Sequence, residues 1–332
     1  MGFASQAIEQ QKDSVAADLD LMAELFRTVN CPTSFSFRQW CHFSAMIREF
    51  RPDVVLEIGR GLGGSTTAMT QSVQHLERTK VKSWCITDVW AKETVPRLKG
   101  VVSPGWFDRL EAYVADVHDV DFTDHVRDAS RVFFFWDSFH HRVNERVMTH
   151  LLPLLAEKTH VVAVHDISDN RYTAEAAKSY DGKGYYRSED EFYAFPEQTA
   201  RLNIGWVNTV TNGAAAILDF CYRNNVELHS ADHELHEEIM RDEAKLTRIR
   251  ACLNGGARLP EAAFAPPHEF AYFTLNEARG PYRFPARVQA RDELEAMRIA
   301  MYERYYAAGG KRRTFWQRLV ESLSYRLRWG KR

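Results

Sequence analysis

The chain has 332 residues, 45% of them hydrophobic and 27% charged, with a formal net charge of −2. That length holds one large domain or a catalytic domain with appendages, and the near-neutral charge argues against bulk attraction to nucleic acid. No apolar run approaches the ~20 residues of a membrane span, and Met1 to Asp18 has neither the basic start nor the apolar core of a signal peptide. Five cysteines (Cys31, Cys41, Cys85, Cys221 and Cys252) lack CxxC spacing, so reduced thiols in a cytoplasmic protein are expected.

In chain order, residues 5–29 and 38–50 show helical spacing, with Leu19, Met22, Leu25 and Phe26 on one face. They are expected to pack across a sheet edge. Residues 53–58 read as a first strand, and the run continues through Gly59, Arg60, Gly61, Gly63 and Gly64 into Ser65-Thr66-Thr67. Small residues let a backbone turn tightly and approach a ligand, and the hydroxyls can cap a helix over 66–78. The unit is strand, glycine turn, helix, the opening of a nucleotide-binding α/β sheet.

A second strand is expected at 82–87, ending at Asp88, followed by an irregular insertion over 90–108 with Trp90 and Trp106. A short strand near 111–115 precedes Asp116. Val132-Phe133-Phe134-Phe135-Trp136 is a fourth strand ending at Asp137, and a helix follows over 142–156. Val161–Val164 is a fifth strand ending at His165-Asp166. Gly205–Phe220 places two apolar runs around Asn212-Gly213, which favours a tight antiparallel hairpin. Glu227–Leu253 reads as a charged helix, 254–268 as a loop and 286–307 as helix again. The expected organisation is an N-terminal helical segment (1–50), a ligand-binding domain (51–222), a helical extension (223–310) and a basic tail (311–332).

Two ligands compete for the glycine turn. Gly59, Gly61 and Gly64 satisfy G-x-G-x-x-G, the dinucleotide fingerprint of a nicotinamide-dependent oxidoreductase. Glu57 argues against it, because a carboxylate there would repel a pyrophosphate at the helix N-terminus and would suit a ligand ammonium. Glu57-x-Gly59-x-Gly61-x-Gly63 resembles motif I of class I S-adenosylmethionine-dependent methyltransferases. The resemblance implies a Rossmann-like seven-stranded sheet closed by a C-terminal antiparallel hairpin, with S-adenosyl-L-methionine as cofactor. Its contacts would come from Glu57, Gly59, Arg60, Gly61, Gly63, Gly64 and Ser65, with Asp88 on the ribose diol and Asp116 near the adenine.

Asp137-Ser138-x-His140, with an acidic site after the fifth strand, resembles the cephalosporin hydroxylase and rhamnosyl O-methyltransferase group and the macrolide-sugar O-methyltransferases. That likeness implies transfer to a hydroxyl of a small molecule or saccharide, with Asp137, His165 and Asp166 around Mg2+. His165 departs from the carboxylate usual in that family, and histidine suits other divalent metals better than magnesium. A metal-free site in which Asp137 or Asp166 orients a histidine stays open. His140 or His141 could accept the proton of the attacking hydroxyl, whereas His160, before the fifth strand, reads as structural.

Acceptor contacts are expected from Trp90, Trp106 and the tyrosine-rich Tyr180–Phe195. Lys311 to Arg332 holds eight basic residues and one acid, with Phe315, Leu319, Leu323 and Leu327 every four residues. This pattern fits a basic amphipathic helix, either at the inner membrane surface or docked on its own domain or a partner subunit in a homo-oligomer. A non-catalytic, membrane-recruited cofactor-binding module is the remaining alternative.

Overall fold

Three helices precede the first strand: α1 (Phe3–Ala17), α2 (Leu19–Val29) and α3 (Phe37–Phe50). The computed structural model describes residues 2–30, 35–137, 141–165, 203–204, 207–208, 217, 220–221, 224, 226–230 and 270–276. The helix expected over 5–29 is divided at Asp18, which ends α1 and opens α2. Its carboxylate accepts from the Arg48 guanidinium and from Gln71 Nε2 at 3.2 Å, and lies 2.5 Å from His75 Nε2. Burial pushes this carboxyl up, but Arg48 and the hydrogen bonds from His75 and Gln71 outweigh it and hold it below its usual range. The break is thereby fastened to α3 and to the helix that follows the first strand. At the start of α3, Ser36 Oγ accepts from Gln39 N and Gln39 Oε1 accepts from Ser36 N, a reciprocal cap that satisfies two backbone donors.

Five parallel strands follow: β1 (Val54–Ile58), β2 (Lys80–Cys85), β3 (Leu110–Val114), β4 (Arg131–Trp136) and β5 (Thr159–Val164), ordered β3-β2-β1-β4-β5. α4 (Gly64–Val73) links β1 to β2. A π-helical turn (Trp90–Thr94), α5 (Val95–Leu98) and a 3-10 helix (Pro104–Arg109) lie between β2 and β3. A 3-10 turn (Val117–Asp119) and α6 (Phe122–Val126) precede β4. The helix expected at 142–156 is α7 (His141–Arg146), a π-helical turn (Val147–Leu151) and α8 (Leu152–Ala156). Both π-helical turns end two residues before a proline, Pro96 and Pro153. A proline ring clashes with the carbonyl four residues earlier, and widening the turn relieves that clash.

Side chains alternate across the sheet with a period of two. Val55, Phe133, Phe135, Val161 and Ala163 face α1–α4, and Val54, Leu56, Ile58, Phe134, Trp136 and Val162 face α6–α8. The Phe43 ring of α3 lies 5.7 Å from Phe133 and 4.8 Å from Phe135, both edge-to-face. The N-terminal helices therefore cover a sheet face rather than its edge, because α3 carries a wide aromatic surface.

Two residues each form β6 (Asn203–Ile204) and β7 (Val207–Asn208), an antiparallel pair separate from the main sheet. The main sheet is mixed: β8 (His229–Ser230) and β9 (Ala271–Phe273) are antiparallel, with β9 lying between β5 and β8. The antiparallel pairing thus comes from residues beyond the expected hairpin. Asn212 and Gly213 lie outside the described residues, and His229–Ser230 is strand where the charged helix was expected. The sheet also runs past the domain end expected at 222. Tyr272 Oη accepts from Ala4 N at 3.2 Å, which ties the start of α1 to β9. Residues 180–195, 254–268, 286–307 and 311–332 lie outside the described residues. Among the described residues, no helix is long and apolar enough to cross a membrane.

Candidate functional site

β1 and β4 are neighbours from which the chain leaves in opposite directions, to β2 on one side and to β5 on the other. In open α/β sheets the ligand crevice opens beyond the carboxyl ends of the strands at this switch point. The glycine turn sits there. Gly59 has φ +104°, and a Cβ on it would lie 1.7 Å from the Asp137 carbonyl oxygen. Gly63 has φ +86°, and its Cβ would lie 2.1 Å from Trp90 Cε3. Gly61, between them at φ +52°, has nothing within 4 Å of that position. Two glycines thus let the turn close on its neighbours, and the third leaves the crest open. Gly64 begins α4.

Beneath the crest lies Glu57, fully buried. Its carboxylate accepts from Ser65 Oγ, Thr66 Oγ1 and Ser83 Oγ, each at 2.5 Å. Arg60 turns inward beside it and donates to Ser83 O at 2.7 Å, Ser83 Oγ at 3.1 Å and Tyr113 O at 2.8 Å. Burial pushes the Glu57 carboxyl above its usual range, opposed by the three hydroxyls and the Arg60 charge. Glu57, Arg60 and Ser65, expected at the cofactor, are joined here as an internal brace of the turn. The cation that a buried carboxylate calls for is supplied by the chain itself. Thr66 and Ser83 complete this brace; Ser83 was not legible as a partner, being 26 residues from Glu57 and drawn to it only by strand pairing.

β2 ends at Cys85, earlier than expected, so Asp88 lies three residues beyond the strand. It pairs with Lys92 Nζ at 2.8 Å, which with the charge of Lys92 holds its carboxyl below the usual range. Asp116 caps the following 3-10 turn, accepting from His118 N at 3.0 Å. The two apolar side chains left open at this edge are Ile86, 73% exposed, and Val114, 57% exposed. Sequence reasoning missed both, because each reads as ordinary strand interior. Trp90 and Trp106 are buried, and Trp106 Nε1 donates to Gln71 Oε1 at 2.9 Å. They are core residues instead of the expected acceptor contacts, since the insertion folds back on α4.

At the ends of β4 and β5 the structure brings Asp137 and His165 together, with Oδ1 and Nδ1 3.4 Å apart. The Asp137 side chain is 18% exposed, whereas His165 is buried between the rings of Phe35 and Phe135, at 5.2 and 6.1 Å. Ser138, Phe139, His140 and Asp166 lie outside the described residues, and His141 is placed only as the first residue of α7. Among the described residues there is no cluster of three side chains able to hold a metal ion. Of the ligands expected around Mg2+, Asp166 lies outside the described residues, and His165 offers a walled-in imidazole where Mg2+ prefers oxygen. His160 is structural: it is buried, with Nδ1 2.9 Å from the Lys158 carbonyl and Nε2 accepting from Leu275 N at 2.9 Å. Burial holds its pKa below the usual value, which favours the neutral ring with the proton on Nδ1.

No family model matches the chain, and neither does any curated protein sequence. Among solved structures, cofactor-bound Rv0187 from MTB is 12% identical, covering 78% of this chain and 90% of its own, with a TM-score of 0.43. The O-methyltransferase TomG from Streptomyces achromogenes, involved in tomaymycin synthesis and solved with SAM, is 13% identical. It covers 77% of this chain and 88% of its own, with a TM-score of 0.41. An O-methyltransferase from Bacillus cereus solved with SAH is 10% identical, covering 77% and 90%, with a TM-score of 0.42.

Proposed function

We propose that this chain is a class I S-adenosylmethionine-dependent O-methyltransferase acting on a hydroxyl of a small molecule or saccharide. The observation that carries the reading is the carboxylate of Glu57 held against the first turn of α4 by Ser65 and Thr66. A helix N-terminus attracts anions. Here that place is taken by a built-in carboxylate, already balanced by Arg60, so the helix N-terminus offers a dinucleotide pyrophosphate little. The antiparallel β9 beside β5 supports the same reading, since nicotinamide-binding folds lack such a strand at that edge.

When bound, the cofactor supplies an electrophilic methyl group on a sulfonium. The open crest at Gly61 fits a close backbone contact with its methionine end, and Ile86 and Val114 offer apolar surface to the adenine. Asp88 offers its carboxylate to the ribose hydroxyls once Lys92 swings aside. Asp137, at the end of β4, orients the acceptor hydroxyl or the histidine that takes its proton, with His140 and His141 as the bases next along the chain. Such a proton transfer contributes about 10²–10⁴-fold.

The test is formation of S-adenosylhomocysteine from S-adenosylmethionine and a panel of sugar and phenolic hydroxyl acceptors, with and without chelator. Product in both conditions is expected. Turnover that disappears in chelator would return Asp137, His165 and Asp166 to the role of metal ligands. Oxidation of an alcohol with a nicotinamide dinucleotide, and no methyl transfer, would overturn the proposal.

A further inference from the structure

The segment after β2 is locked onto the glycine turn by two contacts that the proposed chemistry does not use. Thr94, fully buried at the end of the first π-helical turn, donates its hydroxyl to the Leu62 carbonyl at 2.8 Å. Trp90, at the start of the same turn, lays its ring on Gly63, where no Cβ would fit. Leu62 and Gly63 are the two residues that follow the open crest at Gly61. The wider pitch of a π-helical turn changes which side chains share a face. Here Trp90 and Thr94, at its two ends, reach adjacent residues of the glycine turn. The same turn carries Lys92, the partner of Asp88.

We propose that Thr94 is a positioning residue: its hydroxyl on the Leu62 carbonyl, with the Trp90 ring against Gly63, holds the glycine turn in the shape that receives the cofactor. A shift in the 90–94 segment is then passed to the turn, so the ribose side and the methionine side of the crevice move as one body. The nature of the ligand rests on the methyltransferase reading; the mechanical coupling does not.

Thr94→Val keeps the shape of the side chain and removes the donor, leaving the partly buried Leu62 carbonyl without the Thr94 hydroxyl. Thr94→Ser restores the donor. In the ligand-free full-length protein, hydrogen exchange measured by mass spectrometry is expected to rise in peptides covering 59–66 for Thr94→Val. It should stay unchanged in β4 and α3 and return to the original level in Thr94→Ser. Calorimetry with S-adenosylhomocysteine is expected to show about tenfold weaker binding for Thr94→Val and recovery for Thr94→Ser. Unchanged exchange at 59–66 in Thr94→Val would overturn the proposal, as would a rise spread evenly over the whole chain. If the unsubstituted protein binds no S-adenosylhomocysteine, the methyltransferase reading falls while the exchange comparison still decides the coupling.

Discussion

Two carboxylates flank the glycine turn, and the chain treats them in opposite ways. Glu57, on β1, is sealed by three hydroxyls and the Arg60 guanidinium. Asp137, at the end of the neighbouring β4, stays partly open to the crevice with a buried imidazole at 3.4 Å. Their backbones meet, since Asp137 N donates to the Ile58 carbonyl and Gly59 packs on the Asp137 carbonyl. An acid at a strand end is therefore no measure of function. What matters is how far the fold seals it from the crevice: Glu57 is fully buried, and the Asp137 side chain is 18% exposed. Glu57 shapes the turn from within, and Asp137 is the one proposed to meet a substrate.

The largest expected effect lies where the two halves touch. Gly59→Ala forces a Cβ into the Asp137 carbonyl at a left-handed φ, and should cost about 4 kcal/mol or more by thermal or denaturant unfolding. Gly61→Ala meets only the conformational penalty, roughly 1–2 kcal/mol. Equal losses at the two positions would contradict the contrast between a packed and an open glycine.

Glu57→Ala takes the acceptor from three buried hydroxyls and the compensating charge from beside Arg60, and about 3 kcal/mol of stability should be lost. Asp137→Asn should leave the melting transition within about 1 kcal/mol of the original while lowering methyl transfer about 100-fold. A variant pair that behaves the other way round would exchange the roles assigned here.

A smaller effect comes from His160, whose folded-state pKa is held below the ordinary value of 6.5 by burial. The unfolded chain therefore binds a proton more readily than the folded one between the lowered value and 6.5. The stability tied to the neutral ring is fully present above pH 6.5 and is lost as pH falls through that window. Melting temperatures measured downward from pH 7 should drop less steeply in His160→Gln; identical slopes would remove His160 from the acid response.

Much of this was legible in the chain. The Val132–Trp136 run gave β4 because five consecutive large apolar residues suit a strand covered on both faces. The Val54–Gly64 stretch gave β1 and its turn. Three things were not legible, each for a physical reason. β9 is only three residues long and pairs with a strand more than 100 residues earlier, so no local pattern marks it. The break at Asp18 interrupts a continuous helical period, and its partners, Arg48, Gln71 and His75, come from α3, α4 and the turn after α4. The inward turn of Glu57 and Arg60 depends on Ser83 and Tyr113, which only the pairing of β1, β2 and β3 brings into reach.

Titration calorimetry of the full chain with S-adenosylhomocysteine and, separately, with NADH tests most directly the claim that this crevice takes the methyl donor's scaffold and not a dinucleotide. Saturable heat with S-adenosylhomocysteine and none with NADH is the predicted result; binding of NADH with no response to S-adenosylhomocysteine would contradict it.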